Sequence, residues 1–383
     1  MGTNAISWAI PFNRAGLAGP ELDYIGEAIR RGHISGNGEF TARCERILEE
    51  ETGSPRVLLT TSCTHALEMA ALLFGVGPGD EVIVPSFTFV STVNAFILRG
   101  AKPRFVDIRP DTLNLDERLL EDAAGPRVKA VVPVHYGGVG CEMDAIMGLA
   151  GERGWAVLED NAHGIFGGWR GKPLGSFGDL GALSFHETKN ISCGEGGALI
   201  INRADLIERA EIIREKGTNR SQLFRGQTDK YTWLDLGSSY VLSDILAGFL
   251  LAQLEARERI QDRRRAIWFR YRDGLRDWAA AAGARLPVVP DHCRSSYHLF
   301  HLLLPSAAAR DALIGHLRSR RICSVFHYLP LHLSPMGRRY GGREGDCPVT
   351  EDVSARLLRL PFFTGLEERE QKLVIAAVRE FKP

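Results

Sequence analysis

The stretch Gly181-Ala-Leu-Ser-Phe-His-Glu-Thr-Lys-Asn190, with Trp155-Ala-Val-Leu-Glu-Asp160 shortly before it, decides the fold. Both segments are nearly continuous apolar runs that end in polar residues, which is typical of short strands buried on both faces of a parallel sheet. Asp160 and Lys189 are therefore expected at or just beyond carboxyl ends of strands, where open α/β sheets place their ligands. The same residues also allow a plainer interpretation, a surface lysine and an acidic strand end.

Asp160 and Lys189, together with the Gly194-Glu-Gly-Gly197 stretch that follows them, suggest a catalytic site. This combination suggests pyridoxal phosphate (PLP) as cofactor. A lysine can hold PLP as a Schiff base, and a carboxylate can keep the pyridinium nitrogen protonated so that the ring takes up electrons.

The first half of the chain alternates short apolar strands with helical stretches. Further strands are predicted at Val57–Leu59, Glu81–Pro85, Arg104–Asp107 and Lys129–Val134. This alternation predicts a parallel sheet covered by helices on both faces. No GxGxxG follows any of these strands, so a dinucleotide-binding fold is not supported.

The second half predicts a smaller α+β lobe. One long helix is predicted from Leu242 to about Leu275, and its charged second half, Arg257–Arg272, is interpreted as a solvated face. Strands are predicted at 297–303 and 323–328, with a helix at 308–318 between them. The predicted division is a PLP-binding unit with an N-terminal arm, residues 1–250, and a small unit, residues 251–383.

Composition indicates a cytoplasmic globular protein. The 383 residues include 47 Lys+Arg and 47 Asp+Glu, so the net charge is zero and no nucleic-acid partner is expected. The seven cysteines are scattered and form no CxxC pair, which favours a reducing compartment. Neither a signal peptide nor an apolar run of 18 residues is present, so no membrane association is expected.

Two groups of polar residues can each be interpreted in more than one way. Thr60-Thr-Ser-Cys-Thr64 lies between a strand and a helix that starts near His65, where hydroxyl groups either cap the helix or help to bind a phosphate. The histidines at 298, 301, 327 and 332 lack acidic or cysteine partners at ligand spacing, so no metal site is predicted.

The chain resembles the DegT-type sugar-nucleotide aminotransferases, which are PLP enzymes of the aspartate-aminotransferase fold (fold type I), and it does so in family order over nearly its whole length. The motifs that carry the resemblance are Thr61-Ser-Cys-Thr-His-Ala-Leu67, Pro85-Ser-Phe-Thr-Phe-Val-Ser-Thr92, Phe105-Val-Asp107, Pro133-Val-His-Tyr-Gly137, Glu159-Asp-Asn-Ala-His163, Ser184-Phe-His-Glu-Thr-Lys-Asn190, Gly194-Glu-Gly-Gly197 and Arg359-Leu-Pro361.

The resemblance implies a role for individual residues. Lys189 matches the Schiff-base lysine, Asp160 the partner of the pyridine nitrogen, and Phe89 the aromatic ring that stacks on the cofactor. His163 lies where many relatives have a glutamine that contacts the ring hydroxyl; because histidine titrates near neutrality, we expect the electronic tuning to differ. The positions that match the phosphate site are Ser62, Cys63, Thr64 and Ser184, with Ser238 or Ser239 reaching the neighbouring subunit.

The subgroup that the chain resembles in Glu211–Ser221 and Gly226–Trp233 is the dTDP-4-amino-4,6-dideoxygalactose transaminases. That resemblance implies amino transfer from L-glutamate to dTDP-4-keto-6-deoxy-D-glucose, in a homodimer with shared active sites, for surface polysaccharides such as lipopolysaccharide. Residues 217–240 are the expected contribution to the partner's site. The candidate substrate-binding residues are Arg220, Arg225, Lys230 and His327.

Three alternatives stay open. A relative could aminate C3, use another nucleotide, or give the other C4 epimer. A sugar dehydratase of this superfamily lacks the Schiff-base lysine, so Lys189 counts against it. A regulatory or binding protein without turnover would have no need of the pair formed by Asp160 and Lys189.

Overall fold

A seven-stranded sheet forms the larger part of the computed structural model, which describes residues 7–382. The strands in chain order are β1 Arg56–Thr60, β2 Glu81–Pro85, β3 Lys102–Val106, β4 Val128–Val131, β5 Ala156–Asp160, β6 Gly168–Trp169, β7 Lys172–Pro173, β8 Leu180–Ser184, β9 Gly197–Ile201, β10 Cys293–Arg294, β11 His301–Leu303 and β12 Leu357–Arg359. The sheet order is β1-β9-β8-β5-β4-β2-β3, in which β9 runs antiparallel to both neighbours and the other pairs are parallel. The predicted mainly parallel α/β sheet is confirmed.

Helices cover both faces of this sheet and build the smaller lobe. They are α1 Glu21–Arg30, α2 Glu39–Thr52, α3 Cys63–Leu73, α4 Val90–Ile97, α5 Met143–Arg153, α6 Ile207–Arg214, α7 Arg220–Phe224, α8 Asp244–Glu255, α9 Arg257–Ala282, α10 Ala307–Ser319, α11 Pro335–Arg339, α12 Pro348–Arg356 and α13 Glu368–Glu380. In the described residues, no helix is both long and apolar enough to cross a bilayer.

Burial on both faces explains the apolar runs of the central strands. In β9, Leu199 and Ile201 pack into the core under α3 and α6, whereas Ala198 and Ile200 pack into the core under α2 and α8. Because neither face meets water, the strand has no alternation of apolar and polar residues. This strand was not predicted, although its composition matches that of the strands that were.

The smaller lobe is built around a two-stranded antiparallel sheet of β11 and β12. Its core contains side chains from α9, α10 and α13, and Ile10 of the N-terminal segment packs into it as well. The prediction of a strand at 323–328 is wrong, since that segment forms a single bridge, between Val325 and Arg359. The Cys323 N–H donates to Ile10 O, whereas the rings of His327 and Tyr328 pack against Tyr136, which follows β4.

The predicted long helix is two helices, α8 and α9, which meet at Ala256 (φ −91°, ψ 9°). The fully solvated face predicted for α9 is also wrong at Arg264, which is buried and donates to the carbonyls of Tyr297 and His298. Ile260 packs with α8, whereas residues from Ile267 onward pack in the smaller lobe. The division into units 1–250 and 251–383 stays a proposal; along α9 the packing passes from the core of the large sheet to that of the smaller lobe.

Candidate active site

A cavity of about 770 Å³ opens at the edge of the sheet where β5 and β8 end and α3 and α4 begin. The predicted site residues that line it are Ser62, Cys63, Thr64, Phe89, Asp160, His163, Ser184, Lys189 and His327. The fold thus brings nine of the predicted positions to one cavity, which also receives side chains from the smaller lobe.

Asp160, the last residue of β5, provides a buried carboxylate at the inner wall of the cavity. Its Oδ2 accepts a hydrogen bond from the Thr92 hydroxyl at 2.7 Å, and its Oδ1 accepts from the Ala162 N–H at 3.2 Å. No arginine or lysine of residues 7–382 forms an ion pair with it. A buried carboxylate held by two hydrogen bonds and lacking a cation is suited to receive a cationic N–H from a ligand.

The adjacent Glu159 explains why Asp160 is held firmly. Glu159 is fully buried and accepts from His135 Nε2 at 2.8 Å and from the backbone N–H groups of Gly175, Phe177 and Gly178. The Cys141 N–H donates to His135 Nδ1, so the proton of that imidazole is on Nε2, facing the carboxylate. These bonds fix β5 directly before its functional end.

Lys189 lies in the connection between β8 and β9. That connection continues the antiparallel pairing beyond the strands, with the Phe185 N–H donating to Gly196 O at 2.8 Å and the Glu187 N–H to Gly194 O at 2.9 Å. The amine lines the cavity, and its removal from water lowers the pKa of Lys189 to about 8. A share of this amine is neutral near pH 7, as a nucleophile or a general base requires.

The N-terminus of α3 forms another part of the cavity wall. Ser62 caps this helix, its hydroxyl accepting from the His65 N–H at 3.1 Å. Gly197 lies directly against it, because a Cβ there would come within 2.4 Å of the Cys63 nitrogen. The Thr64 hydroxyl donates to Ser91 at the start of α4. This part of the wall therefore combines a helix N-terminus with hydroxyl groups, the combination that binds phosphate.

His163 is neutral, which corrects the expectation that it titrates near neutrality. Burial is the main cause, and the nearby charges of Lys189 and Arg359 add to it, so that the pKa of His163 falls well below 6.5. The Gly137 N–H donates to Nδ1 at 3.4 Å, which leaves the proton on Nε2, 3.5 Å from the Tyr328 hydroxyl. The side chain is thus a hydrogen-bond donor inside the cavity.

Phe89 and His327 also line the cavity. Phe89 precedes α4 and keeps 57% of its surface exposed, so one face is free to stack on a ligand. His327 is buried, and its Nδ1 lies 3.0 Å from the Tyr136 hydroxyl. Its ring packs on Tyr328, with 3.4 Å between the ring centroids.

Three cavity residues were not predicted as site residues, namely Thr92, His298 and Arg359. Thr92 and Arg359 belong to the motifs Pro85–Thr92 and Arg359–Pro361 that carry the family resemblance. An arginine at the end of an apolar strand could also have indicated a site residue. His298 stacks on His163 with ring centroids 4.2 Å apart. Only the folded chain brings these side chains together, so spacing along the sequence could not reveal the contact.

Five predicted positions lie outside this cavity. Arg225 pairs with Glu211 at 2.7 Å, and Arg220 lies 4.0 Å from Glu215 and over the ring of Phe224. The remaining three are exposed at the surface: Lys230, Ser238 and Ser239. Their predicted contribution to a partner's active site stays a prediction, and within one chain they contact no part of the site.

The histidines considered as metal ligands do not converge. His332 is bonded to Ser86 at 2.6 Å and to Glu351 at 2.9 Å, outside the cavity. Burial lowers the pKa of His301 to about 3, and its Nδ1 has no partner among the described residues. Within residues 7–382, no group of three or more ligand side chains is arranged to hold a metal.

The cavity fits PLP on the evidence of its own side chains. The unpaired buried carboxylate of Asp160 could accept a hydrogen bond from a pyridinium N–H. The Nε2–H of His163 is available for the ring hydroxyl, and the N-terminus of α3 is available for the phosphate. Lys189 supplies an amine with a lowered pKa beside them.

A model of the DegT/DnrJ/EryC1/StrS aminotransferase family matches residues 17–379. The spore coat polysaccharide biosynthesis protein SpsC of Bacillus subtilis is 33% identical over 379 residues, covering 97% of this chain and 96% of SpsC. Over so much of both chains, this identity reaches well beyond the cavity.

Solved structures of aminotransferases are similar to this chain over nearly its whole length. The aminotransferase TlmJ of Streptoalloteichus hindustanus has a TM-score of 0.88 at 32% identity, over 97% of this chain and 98% of TlmJ. Spr1654 of Streptococcus pneumoniae, assigned as a sugar aminotransferase and solved in its PLP form, has a TM-score of 0.89 at 26% identity, over 97% and 98%. The predicted fold type I and the predicted PLP cofactor are confirmed.

Proposed function

Because the chain belongs to the DegT/DnrJ/EryC1/StrS aminotransferase family, we propose that it transfers an amino group from L-glutamate to the C4 ketone of dTDP-4-keto-6-deoxy-D-glucose. The product is dTDP-4-amino-4,6-dideoxy-D-galactose. The observation that carries the aminotransferase chemistry is the presence of Asp160 and Lys189 in one cavity. The choice of sugar is supported by the resemblance carried by residues 211–221 and 226–233.

When bound, PLP supplies the electron sink for the pair left behind as a C–H bond of the amino donor breaks. Asp160 would hold the protonated ring nitrogen of the bound cofactor, and the Thr92 hydroxyl, which donates to Oδ2, keeps that carboxylate oriented. Lys189 removes the proton from the α-carbon of the donor and returns a proton in the second half of the reaction. Its pKa of about 8 suits both directions near neutral pH.

We further propose a homodimer in which residues 217–240 complete the partner's site. These residues carry apolar side chains that a monomer would leave in water, with Phe224 exposed by 72% and Trp233 by 75%. Such an apolar patch is typical of a surface that is covered in an assembly. Arg220, Arg225 and Lys230 lie on the same segment, where they would meet the pyrophosphate of the nucleotide sugar.

The test is a direct assay. The enzyme is incubated with L-glutamate and a series of nucleotide-linked ketosugars, and the product is assigned by NMR. An axial amino group at C4 of a dTDP sugar is the expected product. An amino group at C3, or an equatorial amino group at C4, would contradict the proposed sugar product. It would leave the proposed aminotransferase chemistry standing.

A further inference from the structure

Arg264 lies on α9 where the packing of this helix passes from one lobe to the other. Ile260, about one turn before it, packs with α8, and Ile267, about one turn after it, packs in the core of the smaller lobe. The arginine keeps only 2% of its surface exposed and does not line the cavity. A charge at this depth is costly unless the surrounding groups compensate it, so its partners show what it does.

The partners of Arg264 are carbonyl groups rather than acids. Its Nε donates to the Tyr297 carbonyl at 3.1 Å, and one Nη donates to the His298 carbonyl at 2.6 Å. The other Nη donates to the Thr364 hydroxyl at 3.3 Å, and the centre of the Phe362 ring lies 4.9 Å from the guanidinium carbon. Among residues 7–382, no carboxylate forms an ion pair with this arginine. The planar fork of the guanidinium thus holds two successive carbonyls.

These carbonyls belong to a turn, residues 295–298, whose backbone is unusual at Tyr297. This residue has a φ of +54°, in the left-handed region that a bulky side chain rarely adopts. The peptide group before Tyr297 is fixed by the Ser296 carbonyl, which accepts from the Asn190 amide at 2.6 Å. The peptide group after it is fixed by Arg264. Because both neighbouring peptide groups are held, the unfavourable conformation persists.

This turn holds two parts of the cavity wall. The Ser296 hydroxyl donates to the carbonyl of His163. The His298 ring stacks on that of His163. The same ring bonds to the side chain of Asn190, the residue that follows Lys189. A change in the backbone of the turn would therefore move this imidazole relative to a hydrogen-bond donor of the cavity and to the segment that carries the reactive amine.

We propose that Arg264 is a positioning residue of the active site, which fixes the 295–298 turn and thereby holds His298 between His163 and Asn190. A guanidinium offers N–H groups in a fixed plane and can hold both carbonyls at once, whereas a lysine offers a single ammonium group. One of the two carbonyls belongs to the residue in the left-handed conformation, and the other belongs to His298 itself. The inference does not depend on which sugar or amino donor the enzyme uses.

The first experiment needs no substrate. In the PLP-loaded enzyme labelled with ¹⁵N-histidine, NMR measures how fast the hydrogen-bonded imidazole proton of His298 exchanges with water, and His298→Gln assigns the signal. Arg264→Gln should speed this exchange about 10-fold or more, because loss of the guanidinium frees the backbone of the turn. Arg264→Lys, which keeps the charge without the fork, should fall in between. Arg263→Gln is the matched control and should match the wild type, since Arg263 also donates to two carbonyls but not to those of the turn.

The second experiment tests the link to the left-handed residue. Asparagine adopts this conformation more readily than tyrosine does, so adding Tyr297→Asn to Arg264→Gln should restore part of the slow exchange. If Arg264 served only the stability of the fold, this addition would remove the ring packing on Trp268 and restore nothing. Exchange that does not recover in the double variant, or that is equal in the wild type and Arg264→Gln, overturns the proposal. If Arg264→Gln does not fold, unchanged exchange in a folded Arg264→Lys overturns it as well.

The consequence for catalysis is measured with L-glutamate, whose bleaching of the visible PLP band gives a rate and an affinity separately. Arg264→Gln should lower the maximal rate about 10- to 100-fold and leave the affinity for the donor unchanged, because the arginine does not line the cavity. A loss of affinity with an unchanged rate would contradict a positioning role. If glutamate does not bleach the wild type, the proposed donor fails, while the exchange measurements, which need no donor, still decide this inference.

Discussion

His298 Nδ1 lies 2.9 Å from Asn190 Oδ1, and the direction of this hydrogen bond is fixed. The amide nitrogen of Asn190 already donates to the Ser296 carbonyl at 2.6 Å, so its oxygen must accept and His298 must carry its proton on Nδ1. His298 Nε2 is then an acceptor beside the stacked ring of His163, which is a donor. The residue that follows Lys189 thus sets the polarity of the cavity wall.

Asn190→Asp should raise the pKa of His298, which burial holds well below 6.5 in the wild type. A carboxylate on Nδ1 stabilises the imidazolium, so the histidine should begin to titrate within the range of about pH 5–8. NMR of histidine-labelled protein measures this. Asn13→Asp adds the same charge at the cavity wall without contacting His298, and identical titration in both variants would contradict the arrangement.

Borohydride reduction should fix PLP to Lys189, and peptide mapping identifies the labelled residue. Lys189→Ala should lose this label and about 10²–10⁴-fold of activity while retaining some PLP through the ring and phosphate contacts. Lys172→Ala, which changes an exposed lysine outside the cavity, is the matched control. A label on any other lysine would remove Lys189 from its role.

Asp160→Asn should fold, because amide and carboxylate have nearly the same shape, yet lose most transamination because a neutral amide does not keep the ring nitrogen protonated. Thr92→Val should cost less, about 10-fold, since it removes one hydrogen bond to that carboxylate. Steady-state assays rank the two, with Asp144→Asn on the surface of α5 as control. Near-normal turnover in Asp160→Asn would show that another group protonates the ring.

The burial of Lys189 should appear as a dependence of stability on pH. Because its pKa is about 8 in the folded protein and 10.5 when unfolded, the unfolded chain binds more protons between these values, and stability falls as pH decreases through this window. In the cofactor-free protein, Lys189→Met should therefore become more stable than the wild type by up to about 3 kcal/mol below pH 8. Urea titrations from pH 7 to 11 measure the difference. A difference that does not change with pH would mean that the amine stays hydrated.

Shared active sites predict complementation between two inactive variants. Mixed dimers of Lys189→Ala with a variant inactivated within 217–240 should regain up to about a quarter of wild-type activity, because random mixing leaves one intact site in half of the dimers. Each variant alone is the control, and a fully active monomer would contradict the model.

Lys230→Ala by itself should raise KM for the nucleotide sugar and spare the glutamate half-reaction. Equal damage to both half-reactions would place Lys230 elsewhere.

The sequence predicted the parts of the site that depend on strand ends. Apolar runs locate β5 and β8, and the residues that end or follow them, Asp160 and Lys189, must then lie at one edge of the sheet. Contacts between the two lobes could not be predicted in this way. The stack of His163 on His298 and the approach of Arg359 depend on how the smaller lobe packs, which no local pattern encodes. The break between α8 and α9 at Ala256 could not be predicted either, because alanine favours helix and here ends one.

The reversed direction of β9 has a mechanical consequence for Lys189. Ser184 and Gly197 are direct partners across the sheet, so the segment that carries the lysine leaves and re-enters the sheet at adjacent points, separated by about one strand spacing. The bond from the Glu187 N–H to Gly194 O and the buried side chains of Ile191 and Cys193 fix the length of this segment. Side-chain substitutions at Glu195, which is exposed and lines the cavity, leave this length unchanged, so they can reshape the entrance while the reactive amine keeps its place.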